Sequence, residues 1–380
     1  MHFAMTVPLS ALPLSTHMCH CSVCRYTHGT PCIFHAELPR GTRLDFVAPS
    51  SLEASCTGYA WENPETGERA KSTRYFCSTC GCHMGDVGAA GGPDEGEWVV
   101  ATSIFEPMTE EELKKQGLGE EAKGFLGMRW QQIKTHTFTD SAPGGLHEWL
   151  PRLAGGEDGQ EGPPVKTWNP DPNDPEWAGG VAAVVPEPEV GRNGEDRLRA
   201  QCHCGGVSFT IPRPPFAIKV DEYFKPWASP GDDNKWQATL DLCDDCRLVD
   251  GTHVVGWTFV PRRFILPEIG PDLLLGTSKT YASSPGVLRS FCGCCGATVF
   301  FTDFNQRQQT ENRQVVDLST GILRAPGGAM ARDWLTWRTG KMSWFQSGVR
   351  YEKGFAEGLA DGMKRWADEH DGGVKEWTIP

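Results

Sequence analysis

Apolar positions along this chain recur in short alternating runs with glycine and proline between them. Phe3, Met5 and Val7 alternate ahead of Pro8, which predicts a strand and turn within residues 1–18. A β-type run follows over residues 29–39 and is closed by Pro39; a second spans Leu44 to Val47. The polar stretch 63–67 reads as the tip of a hairpin. Residues 73–82 read as a strand entering a Cys-x-x-Cys-Gly turn, in which glycine lets backbone amides face the sulfurs, and Trp98 to Ile104 as another strand. Short, evenly punctuated strands predict a mainly β protein.

The pattern breaks between residues 151 and 197, where Gly155–Gly159, Pro163-Pro164 and 170–175 concentrate glycine, proline and acid. Such a stretch buries too little apolar surface to offset its ordering entropy, so it reads as a linker, with Trp168 and Trp177 as points that pin it. Beyond it the chain repeats itself. RYTHGTPCIFHAELP (25–39) and RLVDGTHVVGWTFVP (247–261) share length, Arg, Gly-Thr and Pro, and Phe76-Cys77 to Cys80-Gly81 recurs as Phe291-Cys292 to Cys295-Gly296. Cys24 and Cys246 lie 222 residues apart, Cys80 and Cys295 215 apart, so the register drifts by only seven. This is a tandem duplication, with domains at 1–150 and 198–350. The tail 351–380 carries Phe355, Leu359, Met363 and Trp366 on one helical face and predicts a helix packed on the second domain.

Length and composition fit this division: 380 residues with 39% hydrophobic content suffice for two domains with real cores. A net charge of -13 opposes a nucleic-acid backbone and predicts no nucleic-acid partner. No run is apolar enough to cross a bilayer, and the apolar piece Ala4 to Leu14 contains Pro8 and Pro13 without a basic leader, so the expectation is a cytoplasmic protein with no membrane partner. The fifteen cysteines are odd in number and fall mostly in Cys-x-Cys or Cys-x-x-Cys pairs, which in a reducing compartment means metal.

Cys19-His20-Cys21-Ser22-Val23-Cys24-Arg25 supplies three thiolates, the soft ligands zinc prefers, and leaves one position open. Two readings follow: a catalytic site, or a structural one whose fourth ligand comes from elsewhere. Cys202, Cys204, Cys292 and Cys295 make a closed set of four, suited to a structural zinc; iron is the rival occupant. In the second repeat the triple becomes Asp241, Cys243 and Cys246. These could survive as a weaker zinc site, but two thiolates among acidic side chains form a poorer donor set, so the expectation is loss, leaving that domain as scaffold. Cys77 and Cys80 form half a site, with Cys82 placed beside it rather than in it. Cys32, Cys56 and Cys294 read as ordinary buried thiols. His20 and His28 are either solvent-facing loop residues or proton donors, and Arg25 either offsets charge at the triple or pairs at the surface.

As an ordered set, Cys-x-Cys-Gly, Cys-His-Cys-x-x-Cys-Arg and Tyr-Phe-Cys-x-x-Cys-Gly resemble the glutathione-dependent formaldehyde-activating enzyme (Gfa) or centromere protein V family, over roughly 1–150 and 198–350. The resemblance implies two tandem β-tent domains. It implies a catalytic zinc at Cys19, Cys21 and Cys24 and a structural zinc at Cys202, Cys204, Cys292 and Cys295. It also implies carbon-sulfur lyase chemistry on adducts of glutathione, as co-substrate, with formaldehyde or another aldehyde. The rival class is a non-catalytic, zinc-stabilised interaction module. The first domain lacks the opening Cys-x-Cys-Gly. Aligning Met1 with Val207 places those cysteines just upstream of residue 1, so the sequence as given is expected to begin inside a strand, and about two zincs are expected per chain.

Overall fold

The computed structural model describes residues 3–42, 44–62, 67, 69–88, 96–106, 130–155, 162–171, 185–231, 234–305 and 313–379. It is mainly β, with four sheets and few helices. In the first half lie β1 (Met5–Thr6), β2 (Leu14–Cys19), β3 (Ile33–Glu37), β4 (Asp45–Phe46), β5 (Cys56–Tyr59), β6 (Ser72–Cys77), β7 (His83–Gly88), β8 (Trp98–Ala101), β9 (Gln131–Thr137) and β10 (Lys166–Trp168). The second half holds β11 (Glu189–Val190), β12 (Asp196–Gln201), β13 (Ser208–Pro212), β14 (Trp236–Asp241), β15 (Val255–Pro261), β16 (Ser278–Ser284), β17 (Val287–Cys292), β18 (Thr298–Asp303), β19 (Val315–Ser319) and β20 (Leu335–Trp337). The helices are α1 (Ser22–His28), α2 (Leu52–Ser55), α3 (Phe216–Val220), α4 (Asp244–Asp250) and α5 (Phe345–His370).

The two large sheets have the same strand order. One runs β5-β6-β7-β8-β3-β2-β9, with β10 added at its edge; the other runs β16-β17-β18-β19-β15-β14-β20. Register matches residue by residue: Arg74 pairs Asp86 as Arg289 pairs Phe301, and His17 pairs His35 as Thr239 pairs Trp257. α1 and α4 follow β2 and β14, and each ends in a left-handed glycine, Gly29 and Gly251.

The repeats face one another across a pseudo-two-fold axis. A Cβ on Gly81 would lie 2.6 Å from Phe291 Cγ, and one on Gly296 2.7 Å from Phe76 Cγ. Phe76 and Phe291 meet edge to face at 6.5 Å on that axis. Gly29 approaches the Thr298 carbonyl in the same way that Gly251 approaches His83. One hydrophobic core spans both repeats, including Phe34, Phe76, Trp149, Phe209, Trp236 and Phe291.

Three expectations are corrected, and a fourth lies mostly outside the described residues. The 151–197 stretch is not a bare linker: β10 extends the first sheet and β11 pairs β12, because Trp168 and its neighbours find a sheet edge. Pro172, Asn173, Asp174, Pro175 and Trp177 lie outside the described residues. α5 is broken by a kink at Glu352 (φ -147°, ψ 85°), so the tail helix follows a short helical segment from Phe345, and it packs on both repeats rather than on the second alone. Phe355 meets Phe34 at 5.0 Å and His253 at 5.8 Å, and Gly362 sits against the Trp149 carbonyl. The strand expected over Trp98 to Ile104 stops at Ala101 and continues as a tight 3-10 turn. The hairpin tip expected at 63–67 lies, except for Gly67, outside the described residues, but β5 and β6 pair antiparallel on either side of it.

Candidate metal centres

Three groups of ligand atoms come together, each within 4.8 Å: Cys202, Cys204, Cys292 and Cys295; Cys19, Cys21 and Cys24; and Asp241, Cys243 and Cys246. All three could hold a metal ion. The first is closed. The turn after β12 brings Cys202 and Cys204 beside the turn after β17, where Gly296 at φ 83° gives the backbone the curl that only glycine adopts cheaply. Sulfur–sulfur distances of 3.5 Å, for Cys202 to Cys204 and Cys204 to Cys292, sit close to the roughly 3.8 Å edge of a tetrahedron with 2.3 Å metal–sulfur bonds. Backbone amides of Gly206, Val207 and Cys295 donate to Cys204, Cys202 and Cys292. Such donors fix thiolate orientation and help to hold their charge.

The open triple is built by the β2–α1 junction. Cys19 ends β2, Cys21 caps α1 and accepts from the Cys24 amide at 3.3 Å, and Cys24 lies one turn in. Cys19 and Cys24 are buried and Cys21 is half-buried. Hydrogen bonds from Cys19 and Cys24, aided by the Arg74 charge, pull the Cys21 thiol well below its ordinary pKa, while the same sharing pushes Cys19 up. Cys21 is thus the first thiol to ionise.

Arg74, which the sequence reading missed, takes the role assigned to Arg25. Both of its terminal nitrogens lie 3.5 Å from Cys24 Sγ, and its guanidinium also meets Asp86 at 3.8 Å. Arg25 is 4% exposed, donates to the His20 carbonyl and lies over Tyr26, so it braces the loop rather than the sulfurs or the surface. The repeat carried the signal for Arg74: Arg289 stands three residues before Cys292, as Arg74 stands before Cys77, and donates to Cys246 from both nitrogens at 3.6 Å.

His20 and His28 are fully buried and do not face solvent. His20 bonds His136 at 2.9 Å, and His28 stacks on His83 with centroids 3.6 Å apart. Burial holds His28 well below the usual imidazole range and His83 down to about 3. A second unforeseen group surrounds Arg74: Asp86 lies 3.7 Å from His35 Nδ1, and His17 packs edge-on to His35 at 6.5 Å. His35 Nε2 has no hydrogen-bond partner among the described residues.

In the second repeat Asp241 ends β14 and accepts from the Cys243 amide at 2.8 Å, and Cys246 lies in α4. The expected loss of this triple does not appear as a scattering of its donors, which stay grouped. Cys77 and Cys80 pack with Cys82, and among the described residues no third ligand atom joins the pair. Cys82 lies beside them and aims its thiol at the His83 carbonyl. Cys32 and Cys56 are buried thiols as expected, whereas Cys294 is exposed. No described helix is long and apolar enough to cross a membrane. Neither the known protein-family models nor the curated proteins contain a match to this chain.

Proposed function

We propose that this chain is a tandem β-tent protein of the Gfa or centromere protein V kind, and that its first repeat forms and breaks carbon–sulfur bonds in adducts of glutathione, or another thiol, with formaldehyde or a related aldehyde. The observation that carries the reading is the grouping of Cys19, Cys21 and Cys24 without a fourth ligand among the described residues. The donor set is right for zinc: three buried or half-buried thiols, one already inclined to ionise, beside a guanidinium. When bound, zinc would supply a Lewis acid that takes up a substrate thiol as thiolate at neutral pH.

The chain's own residues supply the rest. Three cysteinates outweigh a divalent charge, which would leave a substrate sulfur a poor nucleophile; Arg74, on Cys24, offsets that excess. In the forward direction the S–C bond forms as the carbonyl π pair moves onto oxygen, the thiol loses a proton and the oxygen gains one. Burial lowers His35 to about 3, so this ring stays neutral at pH 7, and the proton passes from sulfur to oxygen through solvent rather than through its buried Nε2. Asp86 lies 3.7 Å from Nδ1 of the same ring, and half-buried His17 packs edge-on to that ring. Arg74, paired with Asp86 at 3.8 Å and donating to Cys24 at 3.5 Å, links this acid–histidine group to the sulfurs by charge. Incubating the zinc-loaded chain with glutathione or simpler thiols and a series of aldehydes, and following adduct formation, tests the proposal. A rate above the uncatalysed one with some pair supports it; none with any pair overturns it.

A further inference from the structure

The triple of the second repeat, Asp241, Cys243 and Cys246, forms part of the lining of a cavity of about 1060 Å³. That volume lies just above the usual range for small-molecule sites, about 300–1,000 Å³. We propose that Asp241, Cys243 and Cys246 hold a third metal ion with an open position facing this cavity, and that the cavity takes a carboxylate with a flat apolar body rather than a thiol adduct.

The register between repeats carries the choice of ligand. The positions of His17, His35 and Asp86 in the first repeat are Thr239, Trp257 and Phe301 in the second, and all three line the cavity. The imidazoles and carboxylate are thus replaced by a hydroxyl and two aromatic rings that make this wall apolar, and the exposed Trp344 adds an accessible ring to the lining for a planar body. The buried histidine stack changes likewise. The positions of His28 and His83 hold Asp250 and Thr298, joined by a 2.8 Å hydrogen bond.

Donor chemistry points the same way. With a carboxylate in place of one thiolate, the bound ion keeps more of its charge and accepts a hard oxygen donor in the open position more readily than three sulfurs would allow. Arg289 on Cys246 keeps the charge-offsetting contact that Arg74 makes in the first repeat. At the mouth, Lys341, Arg350 and Lys364 are exposed and have no carboxylate partner among the described residues. Five cations and four carboxylates line the cavity of a chain whose net charge is -13, a local reversal of sign that favours an anion. Trp344, also on the lining, is 64% exposed and held at φ 52°, a conformation a bulky residue keeps only where its surroundings impose it.

Titrating the full chain with cobalt, then with 2-naphthoate, reads this site without reference to turnover at the first triple. Three cobalt ions are expected per chain, and two in Cys246→Ser and in the milder Asp241→Asn. 2-Naphthoate should change the cobalt d–d spectrum of the wild type and of Cys19→Ser but of neither second-repeat variant. Neutral 2-naphthylmethanol should bind at least about fivefold more weakly. Cobalt content unchanged in both Cys246→Ser and Asp241→Asn overturns the metal site. A naphthoate response that persists in those variants, or equal binding of the neutral alcohol, overturns the ligand assignment.

Discussion

Arg74 sets both terminal nitrogens 3.5 Å from Cys24 Sγ, and Arg289 repeats the contact on Cys246 at 3.6 Å. A buried guanidinium on a metal-bound sulfur stabilises the thiolate that the ion requires. Arg74→Gln should therefore weaken metal binding at the first triple by roughly tenfold, and Arg289→Gln at the second, with the four-cysteine site unaffected. Competition with a chromophoric chelator measures this, and unchanged affinity in both variants would remove the arginines from the centres.

Gly81 and Gly296 sit at φ 86° and 83°, each against the other repeat's phenylalanine. A methyl group at either site meets both backbone strain and a ring it cannot displace. Gly81→Ala and Gly296→Ala should each cost about 2 to 4 kcal/mol. Because one core spans both repeats, denaturant melts followed by fluorescence and by circular dichroism should coincide in a single transition for each variant.

Cys77 and Cys80 lack further ligands among the described residues. Cys77→Ser should leave the zinc content of the chain as it is, while Cys292→Ser should remove one zinc and much of the stability of the whole chain, since a closed thiolate site contributes on the order of 10 kcal/mol of metal-coupled folding energy. Zinc analysis after gel filtration distinguishes the two.

Burial lowers His35 and His83 to about 3 and His136 to about 4. Their unfolded values lie near 6.5, so between 6.5 and 3 the unfolded chain binds more protons and stability falls as pH falls. Asp241 and Asp250, each raised to about 6 by burial, act in the opposite direction below that value but are fewer. His83 faces Arg74, Asp86, His28 and His35, which add to or offset its shift without removing it. His83→Asn should flatten the loss of stability by up to about 1.4 kcal/mol per pH unit between pH 6 and 4, read from denaturant midpoints. An unchanged slope would mean that His83 is already protonated in the fold.

The duplication, the β class and the ligand groups were legible because they rest on local spacing: strand alternation, Cys-x-x-Cys turns, and a repeat with only seven residues of drift. The short helices α1 and α4 were not read, since seven residues between a strand and a glycine carry too little periodicity. Arg74, His17, His35 and Asp86 escaped because the sheet brings them together from β2, β3, β6 and β7, and no local pattern marks cross-strand neighbours. Comparing the two repeats position by position would have revealed Arg74, since Arg289 holds the same position and donates to the third cysteine of its own triple. The packing of α5 on the first repeat depends on Phe34 and Trp149, far from it in sequence, and an amphipathic face does not name the surface it will cover.

The most direct measurement compares adduct formation by the wild type and by Cys19→Ser on the same thiol–aldehyde pair, each at matched zinc in the four-cysteine site. The expected result is a variant that still folds at the assay temperature, with one zinc fewer and turnover reduced to the uncatalysed rate. Full turnover in a correctly folded Cys19→Ser chain would contradict it. Unfolding of the first repeat on loss of that zinc would make the triple a structural site and the chain an interaction module.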